Sequence, residues 1–525
     1  MSSSTPVARH AAGDLGSAPP RGAAGVGARR EALTLIAMCL GTMMTFLQIT
    51  ASVSALSALQ SALHATPTQV VWIPSSYTLL VAALILSAGT LGNRYGRRRL
   101  FRAGVLVMAA GSLLAVAAGS TGGLIAAQAI SGAGGALILP NSLALLGATF
   151  TDPHRRTEVV TAWAASSGIG LAVGPLLAGV LLEHHSWHAV FLSNPVLAVA
   201  ALLATPAVAE SRAPAAGRLD VAGLLLGTVT IAALIYALIQ GGHDGYSSGP
   251  IVVLWAVAAV AAVAFVLAER RAAAPMLDIR LFRSGSFSAV MAVAAVSLFG
   301  FTGVALMLVL FYQRVQNLSA LATGWRLLVM FGVYVVVASL AGRVIRRTGF
   351  KLPLALGLVI GGLACLGLAA QRPDSAFAHA WPLLAAFGAG CGLMAAPSTA
   401  AALVSVPAQS AGMASGAVNT FRQVGSVMGS SILGTLLTAG LASALPGRLA
   451  AHGVPPAARE QVVAAVASGR SGGAPQPAAV RDAVADAFTS GFHTSMLVCG
   501  VVLLVAAVLA LAAVHNRPHH RPAAS

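Results

Sequence analysis

Fourteen carboxylates, 13 histidines and 4 cysteines are the whole stock of acids, bases and thiols in this 525-residue sequence. Their spacing supports no catalytic set. No HExxH, no GxxxxGK[ST] and no cysteine–histidine ligand pattern occurs, and Cys39, Cys365, Cys391 and Cys499 are scattered through apolar runs like small hydrophobic residues. The sequence therefore predicts no enzyme, no cofactor and no metal. What stands out chemically is a sparse set of polar residues inside long apolar stretches: Gln48, Thr50, Gln128, Asn141, Asn419 and Arg422, with Trp72 and Tyr77 as flat aromatic neighbours. Amides and hydroxyls in such surroundings either tie helices together or hydrogen-bond a solute, and an aromatic face offers that solute an apolar wall. The residues Gln48, Thr50, Trp72, Tyr77, Gln128, Asn141 and Asn419 are the expected cavity set.

The elements that must position them are set by composition. Apolar residues make up 57% of the chain before its 56 glycines are counted, and charged residues only 9%. A globular surface needs nearer a quarter, so a water-soluble globule of this size is excluded. The net charge of +17 would suit nucleic acid, but the arginines sit in short clusters between apolar stretches and line no single helix face. Fourteen stretches reach the roughly 20 residues that span a hydrocarbon core, the first at 33–56 and the last at 489–514. In lipid these must be helices. Alternating the loops from a cytoplasmic start divides the basic residues about 23 inside to 7 outside, which predicts cytoplasmic termini. Residues 1–30 and 515–525 are expected to be cytoplasmic tails, the first disordered, and residues 441–488 a long external loop.

Every acidic residue falls in a tail, in a loop or near a helix end, and none at mid-membrane. Proton exchange would have to use edge groups such as Asp220, Glu158, Glu183, His188 or His493. Each of these also reads as a helix cap or a solvated loop residue.

Two basic turns share a spelling. Gly89-Thr-Leu-Gly92-Asn93-Arg94-Tyr-Gly96-Arg97 and Gly342-Arg343-Val-Ile-Arg346-Arg347-Thr-Gly349 both set glycines seven apart with arginine between them, each after an apolar helix. Matched glycines point to two related halves. The first turn resembles the signature loop between helices 2 and 3 of the major facilitator superfamily. Residues Gly170, Gly174, Pro175 and Gly179 resemble that superfamily's antiporter motif in helix 5. Further similarities cover Trp72 to Tyr77, Gly132 to Pro140, Trp187 to Pro195, Arg218 to Asp220, Pro275 to Asp278, and Ala411 through Gly425. With the helix count, the chain resembles the fourteen-helix drug:proton antiporters over about residues 33–514.

The resemblance implies an all-α integral membrane fold: a six-helix bundle over 31–210, two extra helices with linkers over 211–285, and a second six-helix bundle over 286–514. It implies a monomeric plasma-membrane exporter of hydrophobic small molecules that works by alternating access, with the bilayer and, in one alternative, protons as its other partners. The Gly89–Arg97 turn would latch one conformation, and the helix-5 glycines would seal the cavity. Related antiporters often carry an Asp in helix 1 and an Arg in helix 4, and the matching positions here are Gln48 and Gln128. Glutamine cannot titrate, so coupling is either routed through the edge groups or is weak or lost, with neutral or anionic amphiphiles favoured. A transporter-like receptor is the remaining alternative. Arg422 would snorkel to the cytoplasmic face or, if it faces the cavity, favour anions.

Overall fold

The computed structural model describes residues 21–212, 220–272, 275, 277–406, 411–467 and 477–515. The expected tails at 1–20 and 516–525, together with 213–219 and 468–476, lie outside the described residues. Among those described are 16 α-helices, and 14 of them are long and apolar enough to cross a membrane. The first half comprises α1 (Arg21–Ser54), the short α2 (Leu56–Leu63), α3 (Pro67–Tyr95), α4 (Arg97–Val116), α5 (Thr121–Thr149), α6 (Pro153–His184) and α7 (Trp187–Ala204). The inserted pair is α8 (Val221–Asp244) and α9 (Gly249–Arg271). The second half comprises α10 (Gly285–Arg314), α11 (Ala320–Thr348), α12 (Lys351–Leu368), α13 (Phe377–Val404), α14 (Ala411–Ala451), α15 (Pro456–Ala467) and α16 (Ala478–Ala513). An even number of crossings puts both chain ends at one face, here called the terminal face, opposite the far face.

Helix starts follow capping chemistry. Thr66 and Gln69 form a reciprocal capping box at α3, and Ser120, Asp152, Asp220, Ser284 and Ser319 each accept a backbone N–H in the first turn of the next helix. Satisfying these otherwise unpaired donors matters most where a loop is too short to solvate them.

The two halves are packed alike. In the first, α1 lies on α6 and α7, α5 on α3 and α4, and α4 on α7. In the second, α10 lies on α14 and α16, α13 on α11 and α12, and α12 on α16. The repeated glycine–arginine turns therefore mark equivalent positions, between α3 and α4 and between α11 and α12. The halves meet along two seams, α6 against α11 and α3 against α14, which the same repeat relates. The inserted α8 packs on α9, α3 and α14, so it flanks only the second seam. Val252, Val253, Val260 and Val263 of α9 are exposed, as expected of a helix facing lipid.

Two expectations need correction. Residues 21–30 are helical and continue α1, because an alanine-bearing run joined to an apolar helix extends it readily. The 441–488 segment is not a plain loop. There α14 runs on to Ala451, α15 follows, and α16 begins at Ala478; Leu445, Leu449, Val454, Val480, Ala483 and Ala487 form a small core of their own. His452 and Asp486 bridge it at 3.0 Å. Its Ala- and Gly-rich composition concealed helices whose stability comes from packing on one another.

Candidate functional site

A narrow apolar cleft with a cavity volume of about 20 Å³, no more than a water molecule needs, lies between the halves, so this conformation holds the two walls nearly in contact. Ile49, Thr50, Val53 and Ser54 of α1 and Leu171 and Pro175 of α6 form one wall. Phe301, Thr302, Ala305, Leu306 and Val309 of α10 and Leu327 and Phe331 of α11 form the other. The lining is apolar except for Thr50, Ser54 and Thr302. Thr302 Oγ1 lies 2.9 Å from Ser426 Oγ, which ties this wall to α14. A site of this composition suits an apolar solute oriented by a few hydroxyls.

The far face is closed above the cleft. Ser57 Oγ donates to Gln313 Oε1 at 2.8 Å, and Gln313 Nε2 donates back to the Ser54 carbonyl at 3.2 Å. Arg314 bonds Gln60, and Ser319 Oγ donates to Glu183 Oε1 at 2.9 Å. Below these bonds α6 and α11 approach through glycine. A side chain on Gly179 would sit 2.5 Å from Leu321 Cα, and one on Gly324 would sit 3.0 Å from the Pro175 carbonyl. Backbones this close leave no passage for a solute.

The other expected residues have varied fates. Thr50, alone among the seven expected cavity residues, lines the cleft. Gln48 and Gln128 are buried within the first half, where Asn194 Nδ2 donates to Gln48, Gln48 Nε2 donates to Gln128, and Gln128 Nε2 donates to Ser52 Oγ at 2.8 Å. In this conformation the pair joins α1, α5 and α7 and does not face the cleft. Amide hydrogen bonds inside a helix bundle account for it. Tyr77 is buried and donates to the Thr45 carbonyl at 3.0 Å, linking α3 to α1. Trp72 faces the inserted pair: its Nε1 donates to Gln240 Oε1 at 3.0 Å and its ring lies 4.9 Å from that of Tyr236. Asn141 Nδ2 donates to the Ala88 and Leu137 carbonyls at 3.3 and 2.8 Å. Asn419 is half-buried on α14.

The glycines of the first turn bring α3 and α5 together. Gly92 rests directly on the Asn141 side chain, and Gly89 faces Pro140. Gly96 has φ +108°, a backbone that L side chains rarely adopt, and separates α3 from α4. Asn93 caps no helix. It sits in the last turn of α3, where its Oδ1 accepts Arg97 Nε and Nη2 at 3.1 and 2.8 Å while Arg97 Nη1 reaches the Ala144 carbonyl at 3.3 Å. Glu210, from beyond α7, accepts the Arg98 N–H at 2.9 Å and lies 4.0 Å from Arg99. Arg94 is exposed beside the Tyr95 ring. The turn is thus bound within its own half.

In α6, Gly170 abuts the Met43 carbonyl and Gly174 abuts Thr50 and Ala51, so the helix-5 motif packs on α1 on one side and, through Pro175 and Gly179, on α11 on the other. Asp220 Oδ1 caps α8 by accepting the Gly223 N–H at 2.8 Å. Glu158 is exposed in the first turns of α6. Arg422 does not reach the terminal face: its Nη2 bonds the Ala395 carbonyl and donates to Ser398 Oγ at 2.6 Å, both on α13.

Sequence reasoning missed Asn194, Gln240, Gln313 and the aromatic wall of Phe301 and Phe331. The amides were visible as isolated polar residues in apolar runs. The phenylalanines carry no such signal, because lipid-facing and cleft-facing positions are equally apolar.

The Major Facilitator Superfamily model matches residues 38–430. The chain belongs to this superfamily. It is 34% identical over 439 residues to the multidrug resistance protein Stp of Mycobacterium tuberculosis, covering 83% of this chain and 81% of that one. It is 31% identical over 502 residues to the tetracenomycin C resistance and export protein of Streptomyces glaucescens, covering 93% and 92%. It is also 31% identical to the multidrug efflux pump LfrA of Mycolicibacterium smegmatis, covering 91% and 95%. In fold it is similar to a bacterial homologue of the human lysosomal transporter Spinster, solved in an inward-facing and unoccupied conformation, with a TM-score of 0.62 at 15% identity over 92% of this chain and 97% of that one. This chain is therefore a multi-pass membrane transporter of the superfamily, related to drug-efflux proteins.

Proposed function

We infer that this transporter exports hydrophobic small molecules from the cytoplasm across the plasma membrane by alternating access, as a monomer. The observation that carries this reading is the apolar cleft shared by both halves beneath a closed far face. Rocking the halves about the cleft would exchange the face to which it opens. Relatives named for multidrug resistance and for export of tetracenomycin C support the substrate class. The arginine bias supports a cytoplasmic terminal face with both chain ends inside. In this reading Gly170, Gly174, Pro175 and Gly179 form part of the external seal, and the turn carrying Gly89, Gly92, Asn93, Arg94, Gly96 and Arg97 latches the opposite state.

One observation favours weak proton coupling as a second reading: no carboxylate among the described residues lines the cleft, and the amides of Gln48 and Gln128 cannot titrate. If protons are exchanged, Asp220 and Glu158 at the membrane edges are the groups to test first. The deciding experiment uses proteoliposomes under an imposed proton gradient, following internal pH and a hydrophobic fluorescent dye together. Dye flux that needs the intact protein supports export, and binding with no flux would replace it with a receptor. Dye flux without acidification supports weak coupling; stoichiometric acidification rejects it.

A further inference from the structure

An arginine within a bilayer is expensive to hold and is expected to face a partner of opposite charge. Arg422 lies six residues, about 9 Å, inside the candidate span of α14 that begins at Gly416. Its two acceptors, the Ala395 carbonyl and the Ser398 hydroxyl, are neutral. None of the ion pairs among the described residues includes it. The full positive charge is therefore solvated by dipoles alone, and Arg422 is only half-buried.

Its position relative to the cleft gives that charge a use. Residues four apart share a helix face, so Arg422 sits one turn below Ser426, the residue bonded to cleft-lining Thr302. On α11, which packs on the same α13 that Arg422 bonds, Tyr334 stands within electrostatic reach of Arg422, and its ring lies 4.9 Å from that of Phe301, which also lines the cleft. Tyr334 follows Phe331 by about one turn toward the terminal face. Arg422, Ser398 and Tyr334 are not part of the cleft lining; Arg422 and Tyr334 sit about one turn from Ser426 and Phe331 on its terminal-face side.

We propose that Arg422 is the specificity-determining residue for an oxyanion, a carboxylate or sulfonate at one end of an amphipathic substrate whose apolar body enters between the cleft walls when the halves part. The inference rests on the export reading and narrows its substrate class. A guanidinium keeps its charge and gives charge-assisted N–H bonds to an oxyanion. The bonds to α13 engage Nη2, which both bidentate forks share, so a substrate oxyanion would take a single bond from Nε or Nη1. A cation at the same place would meet like charge in a low-dielectric setting with no carboxylate to offset it, which costs it affinity.

The test uses three probes with one aromatic body: 1-pyrenebutyrate, the neutral 1-pyrenebutanol and a pyrenylmethyl trimethylammonium cation. Binding to the purified full chain in detergent should favour the butyrate over the alcohol by at least about tenfold, and the cation should bind weakest. In proteoliposomes Arg422→Gln should abolish the preference for butyrate while alcohol transport stays within about twofold, and Arg422→Lys should retain part of it, because the charge is kept while the donor positions change. Equal affinity of the wild-type protein for butyrate and alcohol would overturn the proposal whether or not any variant folds. So would parallel loss of both probes in Arg422→Gln with the fold intact, which would mark a purely structural arginine. If the alcohol is transported and the butyrate is not, the anion inference fails while export stands. If the wild-type protein moves none of the three, export itself fails.

Discussion

The two seams between the halves are related by the internal repeat yet are closed by different means. Along α6 and α11 the contact centres on glycine, backbone against backbone where Gly179 meets Leu321 and Gly324 meets Pro175, and backbone against side chain where Gly168 meets Tyr334 and Val335. Along α3 and α14 it is side chain against side chain, and the inserted α8 reinforces it: Leu79, Ala82, Ile235, Ile239 and Val427 form one cluster, Trp72 bonds Gln240, and Thr228 Oγ1 donates to the Ala83 carbonyl at 3.2 Å. A glycine seam is intolerant of added atoms because neither backbone can yield. A seam of flexible side chains can repack, at modest cost, when the halves move.

This contrast can be broken at defined positions. The largest effect is expected for Gly179→Leu. Overpacking of about 1–3 kcal/mol would shift the balance between the two states up to about a hundredfold, so transport should collapse and cysteines placed near residue 54 should become labelled from outside. Next, Gln313→Leu removes two hydrogen bonds across the far face; a loss of about 1–2 kcal/mol predicts several-fold greater external labelling with the fold intact by thermal melting. Gln240→Leu leaves Trp72 Nε1 without its acceptor and should lower thermal stability by about 1 kcal/mol while transport falls no more than about twofold. The smallest effect is predicted for Gly416→Ala, whose new methyl would sit 3.0 Å from the flexible end of Leu86; activity should remain close to wild type. If Gly416→Ala proved as damaging as Gly179→Leu, the two seams would not differ in kind.

The sequence made the spans and their grouping legible because burial in hydrocarbon leaves a long unbroken apolar signal, interrupted by arginine turns at equivalent places in the two halves. Cavity composition was harder to read. Gln48 and Gln128 were expected at the centre of a binding chamber, and they meet each other away from the cleft, as hydrogen-bond partners inside one bundle. A one-dimensional pattern shows that a polar residue needs a partner without showing which partner is within reach. Asn194, the third member of the network, sits before Pro195 in an apolar run and had the same visibility. Trp72 had no signal at all for its direction, since choosing between cleft and inserted helix depends on how α8 docks. For Arg422 the sequence left open whether it points to the headgroups or to the cavity, and the structure bonds it to the neighbouring helix α13.

The docking of α8 has a consequence for how membrane-dissolved compounds reach the interior. Because α8 lies along α3 and α14, it screens that flank of the molecule from the acyl chains, whereas among the described residues neither inserted helix packs closely on α6 or α11. A lipophilic molecule partitioned into the inner leaflet would therefore meet one shuttered side and one unshuttered side. The inserted pair of helices thus gives a protein built from matching halves a handedness toward its surrounding lipid.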